Sequence, residues 1–89
     1  MNYDKARKIS HDFINEYYPN LDMADFFEYS SILTEALSQD DFDLGNIAKN
    51  IIEYEGANAF DTQYDSMKEN IILIFQDLIK QHDKELEEV

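Results

Sequence analysis

The side chains of this chain able to do chemistry are mostly carboxylates. Twenty Asp and Glu stand against seven Lys and Arg, a formal charge of −13. Paired carboxylates act as general acids and bases when burial or a close neighbour shifts their proton affinity. In 89 residues there is little room for an enclosed pocket that does this. The chain also lacks Cys, a Gly-rich phosphate cradle and a Ser flanked as in a nucleophile elbow. No enzymatic activity is expected. His11 and His82 lie near opposite ends of the chain, so no zinc site is expected either. The run Asp41-Phe42-Asp43-Leu44-Gly45 has the start of a calcium loop. Its twelfth position, which should hold a bidentate acid, is Ile52, and the turn Gly comes one place early. A solvated loop whose Asp43 caps the following helix fits better. No cofactor is expected.

Asp65-Ser66-Met67 matches the attachment motif of the small acidic four-helix proteins that carry a pantetheine arm. In that family the Ser opens the second helix and further helices follow. Only one helix is expected after Ser66, so these three residues are taken as the first turn of the last helix.

Docking chemistry has more in its favour. Residues 38–65 hold seven acids (Asp40, Asp41, Asp43, Glu53, Glu55, Asp61 and Asp65) against Lys49, whereas residues 1–20 are balanced. Aromatics interleave with these acids: Phe42 in the loop, Tyr54 between Glu53 and Glu55, Phe60 beside Asp61, and Tyr64 beside Asp65. Tyr offers rigid contact area and a hydroxyl, and is enriched where interface energy concentrates. Carboxylates around such anchors suit Arg and Lys on a partner. The expected partner-binding residues are therefore Asp40, Asp41, Asp43, Glu53, Tyr54, Glu55, Asp61, Tyr64 and Asp65. The competing expectation is that the aromatics fold inward and the acids serve only solubility.

Four helices must position this set. The first, about 3–18, has Ala6, Ile9, Phe13 and Tyr17 at steps of three and four and stops before Pro19. The second, about 22–38, starts on Asp22 as N-cap, with Phe26, Ser30, Leu33 and Leu37 as its stripe and Met23 and Phe27 flanking it. The third, about 44–55, buries Leu44, Ile47, Ala48, Ile51 and Ile52 and stops at Gly56. The fourth, about 62–84, starts on Thr62 with Asp65 three residues on, and Tyr64, Met67, Ile71, Ile74, Phe75 and Leu78 keep helical spacing along it. Its run Ile71–Phe75 suits a buried strand in isolation, but the flanks lack strand boundaries. This helix is expected at the centre, and the terminal 83–88 segment is expected to fray.

Hydrophobic residues make up 44% of the chain, enough for a core, and two Gly and one Pro are too few for a turn-rich β fold. The expectation is all-α, a single-domain antiparallel four-helix bundle over residues 1–89. Short connections should make successive helices neighbours. The absence of cysteine, of a signal-like apolar segment and of a membrane-length apolar run points to a cytoplasmic protein. Excess negative charge repels nucleic acid and anionic lipid and attracts a basic protein.

In size, charge, four-helix pattern and the pairing of acids with tyrosines, the chain resembles the small acidic immunity proteins that neutralise bacterial nuclease toxins, the colicin immunity proteins among them. Tyr17-Tyr18-Pro19 spells the Tyr-Tyr-Pro signature of the DNase-colicin group. In that group the tyrosines lie after the second helix, whereas here they close the first, so they are not carried over as site residues. The resemblance implies a protein-binding inhibitor that occludes a cognate basic toxin or nuclease. Two alternatives remain. One is an inhibitor that mimics nucleic acid, with carboxylates strung along a face at phosphate spacing. The other is a homo-oligomeric structural or regulatory helical protein, a homodimer in its simplest form.

Overall fold

The computed structural model describes residues 1–54 and 63–87, and every regular element in them is helical: α1 (Tyr3–Tyr17), α2 (Met23–Ser38), α3 (Leu44–Tyr54) and α4 (Tyr64–Glu87). They form a four-helix bundle 44 × 26 × 22 Å in extent.

Local chemistry sets the ends. The Asn2 side chain accepts from the Lys5 N–H at 2.8 Å and starts α1. At the other end Tyr18, with Pro19 after it, leaves helical geometry at φ −129°, while its N–H still donates to the Ile14 carbonyl. Asp22 caps α2 by accepting from the Asp25 N–H at 2.9 Å. Asp43 caps α3: its Oδ1 accepts from the Gly45 N–H at 2.9 Å and its carbonyl from the Ile47 N–H. Thr62 and Gly56 lie outside the described residues, and α4 is seen from Tyr64. It continues to Glu87, beyond the expected end, so the segment from Asp83 to Glu87 is helical. Within it the Ile71–Phe75 run is helical, with Ile71 and Phe75 buried and Leu73 exposed.

One cluster of buried apolar residues joins all four helices. Ala6, Ile9, Phe13 and Ile14 of α1 meet Tyr29, Leu33 and Leu37 of α2, and Phe13 meets Phe75 of α4. Each such aliphatic or aromatic side chain contributes about 1.5–3 kcal/mol by leaving water. α1 runs antiparallel to both neighbours. The terminal amine of Met1 donates to the Leu37 carbonyl and His11 lies edge-on to Phe26. Phe13 pairs with Phe75, while Lys5 reaches Asp83.

The spatial order is α2–α1–α4–α3. Two expectations are corrected by it. α4 is not the sole centre, because α1 also has a neighbour on each side. Also, α2 and α3, consecutive in the chain, are not a closely packed pair. Relative length explains this. α4 has 24 residues and α1 has 15. Lys5 opposite Asp83 and Phe13 opposite Phe75 put Tyr17 near Ile71, so the first two turns of α4 extend past α1. The apolar face of α3 covers that overhang: a Cβ placed on Gly45 would lie 3.8 Å from Lys68 Cε. Drawn to α4, α3 leaves its edge with α2 open.

Candidate functional site

The acidic loop forms where α2 stops. Gln39 takes an extended conformation at φ −68°, ψ 145°, and Asp40, Asp41 and Asp43 follow, all exposed. Phe42 between them is half-buried and packs on the core, so it pins the loop instead of standing out from it. Asp43 already spends one carboxylate oxygen on the Gly45 N–H. Glu53 is exposed on the last turn of α3, and Asp65 on the first turn of α4, where negative charge favours the helix dipole. None of Glu28, Glu35, Asp40, Asp41, Asp43, Glu53 and Asp65 takes part in an ion pair among the described residues.

Tyr64 is a correction. It is 9% exposed and belongs to the core, one heptad before Ile71 on the same buried stripe. It supports the fold and is no surface anchor. Glu55, Asp61 and Phe60 lie outside the described residues, as does the side chain of Tyr54.

The open edge between α2 and α3 holds a feature that the sequence reading missed, an apolar cleft of about 50 Å³. Tyr29, Ile32 and Ala36 of α2 form one wall, and Ile47, Asn50 and Ile51 of α3 the other. Ile32 is 49% exposed at its lip. Its signal was present but weak, since Ile32 is an aliphatic residue off the buried stripe of α2. At about 100° per residue, Glu28 and Glu35 lie on the solvent side of Ile32, Asp25 projects between Ile32 and Ala36 one turn before Tyr29, and Glu53 lies on the solvent side of Asn50. The Asp40–Asp43 loop joins the two walls where α2 passes into α3. Lys49, the basic residue of α3, is about 100° round the helix from Asn50, away from the cleft.

No family model, curated protein or solved structure matches this chain. Its reading rests on its own chemistry. Tyr17 and Tyr18 illustrate this: both are half-buried in a column of rings running Phe75, Phe13, Tyr17, Tyr18, Tyr29, with successive centroids 4.2, 5.3, 4.7 and 5.3 Å apart. Their work is packing, and the column ends at the wall of the cleft. Met23 and Phe27, expected to flank the buried stripe, are 75% and 64% exposed on the other side of α2. Among the described residues no three His, Cys, Asp or Glu side chains converge as a metal set would, and no helix is long and apolar enough to cross a membrane.

Proposed function

We propose that this chain is an acidic protein-binding inhibitor, an immunity protein that neutralises a cognate basic toxin or nuclease by occluding it. The observation that carries the reading is the set of exposed carboxylates of α2, the Asp40–Asp43 loop and α3, without an ion pair among the described residues, beside an apolar cleft. Carboxylates left without cations keep their field, which raises the encounter rate with a cationic protein and weakens with salt. The apolar surface among them gives the complex a part to desolvate, and this slows dissociation. Neutralisation needs no chemistry from the inhibitor. Covering the basic groove through which a nuclease holds phosphates is sufficient, because those contacts dominate its affinity for nucleic acid.

The test is to look for a cationic toxin or nuclease domain in the reading frames neighbouring this one, co-express it with this chain, and measure binding of the two purified proteins. Protection of the host, a one-to-one complex and association that slows with salt are expected. Asp40→Lys with Asp41→Lys should slow association about tenfold or more with little change in dissociation, and leaves the Asp43 cap untouched. Absence of both protection and binding would overturn the reading.

A further inference from the structure

We propose that the cleft between α2 and α3 seats one aliphatic side chain of the partner, presented on a segment with Arg or Lys on either side of it. This deepens the inhibitor reading and rests on it for the nature of the partner. The lining of Ile32, Ala36, Ile47 and Ile51 offers no charge, so the seated group is apolar. Its size follows from the volume. About 50 Å³ is a third of the roughly 150 Å³ that admits a benzene ring, which leaves room for the end of a Leu, Ile or Met.

The rim sets the flanking chemistry. Glu28 and Glu35 flank the α2 lip, Asp25 stands on the same face one turn before Tyr29, Glu53 flanks the α3 lip, and Asp40 and Asp41 belong to the loop that joins the two walls; all are exposed. Such a rim selects among occupants. A second copy of this chain would bring a like-charged rim and a net charge of −13 against it. Nucleic acid and anionic lipid are repelled for the same reason. A cationic segment gains charge-assisted contacts on both lips at once. Tyr29 in the α2 wall is held by the ring column behind it, so that wall is formed before the partner arrives and little ordering is needed on binding.

The test uses the full chain and fluorescein-labelled peptides: one with a single Leu between Arg pairs, the same peptide with Ser for Leu, and the same with Glu for Arg. The Leu–Arg peptide should bind about tenfold or more tightly than the Ser version, with the Glu version weakest. Ile32→Gln and Ala36→Leu, the first stripping the lip and the second filling the cleft, should each remove about that advantage. Met23→Gln, on the opposite side of α2, should not. Circular dichroism of each variant establishes that it is folded. Equal binding of the Leu and Ser peptides, equal loss from Ile32→Gln and Met23→Gln, or a dimer that persists in high salt and shields Ile32 would overturn the proposal. The two readings fail separately. A toxin bound tightly by both the parent chain and Ile32→Gln removes the cleft from the account and leaves inhibition standing. Cleft-dependent peptide binding without toxin neutralisation does the reverse.

Discussion

The ring of Phe13 lies stacked on that of Phe75, centroids 4.2 Å apart and planes 12° from parallel, both rings fully buried. This contact joins α1 to α4 and sets the register that decides where α3 packs. Truncating either ring removes a large volume from a core with few substitutes. Phe13→Ala or Phe75→Ala should cost about 3–5 kcal/mol. Net stability of a domain this size is on the order of 4–13 kcal/mol, so both variants should be marginally folded or unfolded at 37 °C. Thermal denaturation followed by circular dichroism checks this, and Phe13→Leu should retain most of the stability.

Thr34 is 2% exposed and its hydroxyl finds no hydrogen-bond partner among the described residues. A buried donor left unpaired is a cost of about 1–3 kcal/mol, and Val has the same shape without it. Thr34→Val should therefore stabilise the protein by about 1 kcal/mol. A higher urea midpoint with an unchanged slope is the expected result, and a lower midpoint would show that the hydroxyl is in fact satisfied. Tyr18→Phe, which removes another buried unpartnered hydroxyl, should move stability in the same direction.

Asp22 closes the start of α2 through the Asp25 N–H. Asp22→Ala should lower stability by about 0.5–2 kcal/mol and Asp22→Asn by much less, since Asn also caps. For a domain of this length each kcal/mol shifts the melting temperature by about 4–8 °C, which scanning calorimetry resolves easily.

Salt should stabilise this protein. At −13 the folded chain repels itself, and the Lys5–Asp83 ion pair and the His82–Asp12 hydrogen bond lie on the α1–α4 seam, away from the α2 and α3 carboxylates. Raising sodium chloride from about 0.01 M to about 1 M shortens the screening length from about 30 Å to about 3 Å. The melting temperature should rise across that range, because screening relieves more repulsion than attraction. Asp83→Asn breaks an exposed pair worth about 1 kcal/mol at most, so it should leave the midpoint almost unmoved. A melting temperature that falls with salt would show that ion pairs dominate the surface.

Local features were legible in the chain, because each is decided within a few residues. Tyr18-Pro19 stops α1, Asp22 and Asp43 cap the next two helices, and the apolar stripes of all four helices face inward as their spacing dictates. The exposed Asp40, Asp41, Asp43, Glu53 and Asp65 belong to the same class, since a carboxylate without a buried partner stays in water. Tyr64 shows the limit. It fits both the apolar stripe of the fourth helix and, through its neighbour Asp65, a surface patch; a helix turns about 100° between the two, and the stripe takes Tyr64 inward. Neither the α2–α1–α4–α3 order nor the cleft was legible, for both depend on groups far apart in sequence. Phe13 against Phe75 leaves the first turns of α4 without cover from α1, and α3 moves there instead of closing onto α2. Ile32 alone could not announce a cleft; only the helix that leaves it uncovered makes one.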